Sequence, residues 1–85
     1  MPKSMFTDAY ASLLRELSAA RRRAGLTQVQ LAERLGKPQS FVAKFEQGSR
    51  RVDVIEFYAI MRALGADPEA EFSALVRKLP KKVAI

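Results

Sequence analysis

The side chains best suited to reading a polar surface lie within one short stretch, Gln39 to Gln47. On a helical wheel Gln39, Ser40, Ala43, Lys44 and Gln47 share one arc of about 140°, while Phe41, Val42, Phe45 and Glu46 fall in the opposite arc. One side of this helix is therefore core, and the other is polar with two short residues that allow close approach. An amide carries a donor and an acceptor side by side, so glutamine can pair with adenine N6 and N7. Lysine can donate to guanine O6 and N7, and serine can serve either base. Such pairings are worth roughly 1–3 kcal/mol of base discrimination each. A solvated face that happens to hold amides is the alternative, and the face alone does not choose between them.

Glu46 breaks the pattern by sitting in the apolar arc. A buried carboxylate needs a partner, because an unpaired charge is costly to desolvate. Arg21, one turn beyond Leu17 on the buried stripe of the first helix, is the expected partner in a structural clamp; the alternative is that Glu46 snorkels to water. Gln28 opens the helix before Gln39, where free N–H groups and the helix dipole favour an anion. Its amide is expected to bind a DNA phosphate while touching Gln39, or else merely to supplement the Thr27 cap. Arg50 and Arg51 follow the polar helix directly and could grip backbone phosphates, a solvated charge pair being the alternative. Arg22, Arg23, Lys78, Lys81 and Lys82 are expected to be plain surface charge. Phe41 is expected to pack near Phe45 rather than to reach a thymine methyl.

Five helices must position these groups. The first opens at Thr7 or Asp8, carries Tyr10, Leu13, Leu14, Leu17 and Ala24 at helical spacing, and ends at Gly25. The second runs from a Thr27 cap to Gly36, and the third from a first turn holding Pro38 to Gln47-Gly48. Two short amphipathic helices joined at a glycine have the layout of a helix-turn-helix, in which the second helix enters the DNA major groove. Asp53 caps a fourth helix bearing Val54, Phe57, Tyr58, Ile60, Met61 and Leu64, stopped by Gly65. Asp67-Pro68-Glu69 opens a fifth with Phe72, Leu75, Val76 and Leu79 at i, i+3, i+4 and i+7, ended by Pro80. The expectation is an all-α, compact domain over residues 7–80. A loose arm over 1–6, in which Met5 and Phe6 could pack back as a hydrophobic staple, and a tail over 81–85 flank it.

Composition narrows the function classes. The 85 residues suffice for one small core, with 48% hydrophobic and 28% charged residues. With neither Cys nor His, disulfides, thiol chemistry and the usual zinc sites are excluded, and no metal or cofactor is expected. No apolar run approaches the ~18 residues that span a bilayer, and no signal-peptide core is present, so a cytoplasmic location is the default. The net charge of +6 and pI near 10.2 suit a polyanionic partner. An enzyme is not expected. Without His or Cys a catalyst needs a concave carboxylate or lysine pocket, and Glu16, Glu33, Glu56, Glu69 and Glu71 read as exposed charges or caps. RNA is disfavoured because the aromatics fall at core spacing, and a membrane-surface role because the apolar stripes belong to a multi-helix core.

Four segments together resemble the lambda-repressor/Cro-type, or xenobiotic-response-element (XRE) type, helix-turn-helix family from about Leu13 to Leu79. They are Ala24-Gly25-Leu26-Thr27-Gln28, Leu31-Ala32-Glu33-Arg34-Leu35-Gly36, Gln39-Ser40-Phe41-Val42 and Phe45-Glu46-Gln47-Gly48. The resemblance implies a lambda-repressor-like fold with the turn at Gly36. It implies base contacts from Gln39, Ser40 and Lys44, and phosphate contacts from Thr27, Gln28, Gln47, Ser49, Arg50 and Arg51. It also implies that Arg21 and Glu46 form an interhelix salt bridge. Lys37 departs from the family pattern at a turn position often apolar, and Ala43 at a position often held by a polar base reader. Specificity is then expected to draw more on DNA shape. The expected function is a transcriptional regulator, a repressor, that binds double-stranded DNA at a palindromic operator as a homodimer formed through helices 4 and 5. The alternative is an antitoxin or adaptor whose main role is to bind a partner protein such as a toxin.

Overall fold

Four of the five helices open on a side-chain cap that the sequence supplies. The computed structural model describes residues 7–84, and the five are α1 (Asp8–Arg23), α2 (Gln28–Leu35), α3 (Gln39–Gln47), α4 (Val54–Leu64) and α5 (Pro68–Lys78). No strand occurs among the described residues. The arm expected over residues 1–6, with Met5 and Phe6, lies outside the described residues, as does Ile85. Thr7 accepts from the Tyr10 N–H at 3.1 Å to start α1. Reciprocal capping boxes open α2 (Thr27 with Gln30, 2.9 and 3.1 Å) and α4 (Asp53 with Glu56, 2.7 and 3.0 Å). Asp67 caps α5, with Pro68 as its first helical residue.

α3 is the exception. Pro38 stands at its N-cap and makes no side-chain hydrogen bond, one residue earlier than the first-turn position expected from sequence. The cap needs an extended residue; Pro38 meets that with φ −69° and ψ 156°, its ring fixing φ. The α2–α3 turn depends on Gly36. Its φ is +67°, and the Gly36 and Lys37 N–H groups donate to Glu33 O and Ala32 O at 3.1 and 3.0 Å. A side chain there would cost roughly 1–2 kcal/mol of backbone strain.

The core is built by the first four helices: Leu17 and Ala20 of α1, Leu31 and Ala32 of α2, Val42 and Phe45 of α3, and Phe57, Ile60, Met61 and Leu64 of α4. α3 packs against both α1 and α2. The outer stripes are less complete than their spacing suggests. On α5 Leu75 is buried, and Leu79, the C-cap just beyond the helix, is half-buried, but Phe72 and Val76 remain 52% and 49% exposed. On α4 Val54 and Tyr58 face outward too, because that helix is apolar nearly all round and only one side can meet the core. Ala24, at the α1 C-cap, is likewise exposed.

A second correction concerns charge. Glu16, expected to be an exposed charge, is buried, accepting from Lys78 Nζ at 3.0 Å and Arg23 Nη2 at 3.3 Å. Arg23 also reaches Glu71 at 2.8 Å. Thus Arg23 and Lys78, read from sequence as plain surface charge, tie α5 to α1. Burial alone would raise the Glu16 pKa, but hydrogen bonds with Lys78, Glu71 and Arg23 outweigh it and bring it below the ordinary carboxylate value. Glu71 moves the other way, raised by burial and by its neighbour Glu16.

Candidate nucleic-acid interface

The apolar face of α3 fixes where its polar face points. Val42 and Phe45 are fully buried, and the Phe41 ring meets Phe45 edge-on at 5.6 Å, as its spacing predicts. Gln39, Ser40, Lys44 and Gln47 are consequently all exposed, and Ala43 half-buried, along one side of the helix. Lys44 makes no ion pair and the Ser40 hydroxyl no hydrogen bond among the described residues, so both groups are open to a ligand. Gln47 donates to the Ser49 hydroxyl at 3.1 Å, and Ser49 donates to Lys44 O at 3.3 Å, which shapes the loop leaving α3.

Behind this face lies a continuous polar chain. Arg21 grips Glu46 with two parallel bonds, Nε to Oε2 at 2.7 Å and Nη2 to Oε1 at 3.0 Å, and its Nη1 donates to Leu26 O at 2.8 Å. Both side chains of the pair are about nine-tenths buried, and the bonds to Glu46 raise the Arg21 pKa despite its burial. Gln28 Nε2 donates to Glu46 Oε1 at 3.1 Å, and Gln39 Nε2 donates to Gln28 Oε1 at 2.7 Å. The clamp and the Gln28–Gln39 contact expected from sequence are both present; the link from Gln28 to Glu46 that joins them was not foreseen. Thr27 is exposed at the α2 N-terminus, its hydroxyl accepting from the Gln30 N–H.

The two arginines after α3 differ from the simple picture of free phosphate grips. Arg50 is committed to Glu56 through a bidentate pair at 2.8 and 3.1 Å, and its guanidinium stacks 4.5 Å from the Phe41 ring centroid. These bonds from Arg50 hold the Glu56 carboxyl below its usual range, helped by the Asp53 N–H. Arg51 lies over the Tyr10 ring at 4.7 Å, while the Tyr10 hydroxyl accepts from the Val52 N–H at 3.1 Å. Lys37, the departure at the turn, places its ammonium 5.6 Å from the Phe41 ring centroid, so Phe41 is flanked by two cations. Glu56, read from sequence as an exposed charge or a cap, does complete a capping box with Asp53; its pairing with Arg50 was not foreseen.

Among the described residues no group of His, Cys, Asp and Glu could hold a metal ion, and no helix is long and apolar enough to cross a membrane.

Residues 12–75 match the family model of a helix-turn-helix domain. An XRE-family like protein from Pseudomonas syringae pv. tomato str. DC3000 superposes with a TM-score of 0.82 at 49% identity, covering 92% of this chain and 95% of that one. The clp gene regulator ClgR from C. glutamicum superposes with a TM-score of 0.70 over 84% of this chain and 92% of its own, at 21% identity, a likeness of fold. No curated protein matches the chain.

Proposed function

The chain belongs to the helix-turn-helix domain family, in its XRE-type, DNA-binding branch, and on that premise we propose that it is a sequence-specific transcriptional repressor. It binds a palindromic operator as a homodimer, with α3 in the major groove, in the bacterial cytoplasm or nucleoid. The observation that carries this reading is the exposed edge of α3: four polar side chains on one side of a helix whose opposite side is locked into the core. Gln39, Ser40 and Lys44 read bases. Thr27, Gln28, Gln47, Ser49 and Arg51 hold phosphates, while Arg50, paired with Glu56, braces Phe41. With only a methyl group at Ala43, direct contacts are few, and DNA shape supplies part of the specificity.

Two-fold binding is supported by apolar surface outside α3. Val54, Tyr58 and Phe72 border an apolar groove between α4 and α5 that also includes Leu13, Phe57 and Leu75. Exposed apolar surface of this kind suits a second copy. Two modules about one helical turn apart on DNA supply the discrimination a single small module lacks.

Selection from a random duplex pool tests the proposal, followed by binding of the winner and a scrambled control at two salt concentrations. The expected winner is palindromic and bound at least ~10³-fold tighter than the control at physiological salt. Weak, salt-sensitive binding with no enriched sequence overturns it and turns attention to a partner protein, as for an antitoxin.

A further inference from the structure

We infer that Glu46 is a positioning residue for DNA recognition: it sets which end of the Gln39 amide faces the DNA and so selects adenine over guanine at one operator position. The inference rests on the DNA-binding reading above and adds to it a determinant that never touches the DNA. The two ends of a glutamine amide are alike in shape, so only their partners can orient them. A carboxylate paired with arginine is an acceptor only. Because Arg21 occupies Glu46 from one side, the Glu46 Oε1 that meets Gln28 can be approached only by a donor, Gln28 Nε2. The Gln28 oxygen is thereby turned outward, where it must accept, and Gln39 answers with its own Nε2.

What Gln39 then offers to a base is its oxygen and its one remaining N–H. That is one acceptor beside one donor, the complement of adenine N6–H and N7. Guanine presents two acceptors at the same edge, O6 and N7, and would place O6 against the Gln39 oxygen. If both amides turned over, Gln39 would show its full NH₂ outward and suit guanine. The turned state sets the Gln28 oxygen against the Glu46 carboxylate, which forbids it. The buried ion pair thus reaches the DNA surface through two amides.

Glu46→Gln keeps the shape and gives Gln28 a partner that can donate or accept, so both polarities become available. Gln28→Met cuts the chain and leaves the Arg21–Glu46 clamp in place, which covers the case in which the first variant does not fold. Duplexes carrying each base at each position of the selected operator are competed against wild type and both variants. Wild type is expected to prefer adenine to guanine at one position per half-site by at least ~10-fold, and the variants by less than ~3-fold, with preferences elsewhere unchanged. An unaltered ratio at that position in both variants overturns the inference. So does a uniform collapse at all positions, the mark of a merely structural role. If wild type enriches no sequence, the DNA reading itself fails. The polarity is tested separately in the DNA-free protein by side-chain amide NMR. Gln28 and Gln39 NH₂ resonances should shift in Glu46→Gln while the backbone spectrum stays native-like; unmoved resonances sink the chain of polarity.

Discussion

α1 sends two charged side chains into the protein, five residues apart and of opposite sign, and they serve different ends. Arg21 meets one partner, Glu46, through a bidentate fork whose two side chains are 11% and 8% exposed. Glu16 is shared between Arg23 and Lys78, whose side chains are 56% and 62% exposed, at 3.3 and 3.0 Å. In the first centre both charges have left water, so its geometry is tightly determined and can orient a neighbouring amide. In the second only the carboxylate is buried; its cations keep water as an alternative partner. The difference teaches that burial of both members makes an ion pair a positioning device, whereas burial of one makes a tether. The tether holds α5, the helix with the fewest core residues.

The sharpest way to break the comparison is to remove one member from each centre. Arg21→Ala leaves Glu46 buried and unpaired, and is expected to destabilise the domain by about 3–5 kcal/mol. Against a typical total of about 5–15 kcal/mol, that is a large share of the stability of a small domain. Lys78→Ala leaves Arg23 on Glu16 and is expected to cost about 1 kcal/mol or less. Urea denaturation of the two variants decides. Equal losses would mean that the centres are alike and that exposure of the cations is irrelevant.

Sequence revealed these two centres unequally, although the same reasoning applies to both. Glu46 is legible because a carboxylate stands in the apolar arc of a short helix, and because Arg21, one turn beyond Leu17 on the α1 stripe, offers a partner that the family resemblance also implies. Glu16 stands three residues after Leu13 and four before Ala20, on the α1 stripe, so the identical test marks it as buried. What hides it is distance: its partner Lys78 lies 62 residues away, on a helix whose angle to α1 no local pattern gives. The five helices were legible because caps and glycines punctuate them, and the α3 face because its wheel divides cleanly. The commitment of Arg50 to Glu56 was hidden behind a neighbouring charge that suggests phosphate instead. Outward-facing Val54, Tyr58 and Phe72 were not legible, since hydrophobic spacing cannot say which apolar side chains find a partner.

A pH titration sharpens the contrast further. Glu16 and Glu56 have depressed folded-state pKa values, so each contributes stability that is fully present above the unfolded value near 4.5 and lost as pH falls through the folded value. Thermal melts should therefore show Tm falling as the solution is acidified below about pH 4.5. Glu56→Gln should flatten part of that slope by removing the contribution from the loop beneath α3, and Glu16→Gln the part from the α5 tether. A slope that survives both substitutions would assign acid sensitivity to other carboxylates.

The smallest effect belongs to Glu71, and its sign is opposite. Its folded-state pKa is raised, so the folded protein binds this proton more tightly than the unfolded chain does. That contribution is present at low pH and lost as pH rises from about 4.5 through the folded value. Burial and the neighbouring Glu16 disfavour the charged form of Glu71, and the pull of Arg23 only partly offsets them. Glu71→Gln removes the repulsion and can still accept a bond from Arg23. It is expected to raise Tm at pH 7 by about a degree or two, in keeping with the small worth of partly exposed pairs. The advantage should shrink at pH 4, where wild-type Glu71 takes up its proton. An advantage that grows on acidification would reverse the assigned sign. A Tm that drops by several degrees at pH 7 would make Glu71 a structural partner of Arg23, and the tether a two-on-two cluster as determined as the clamp.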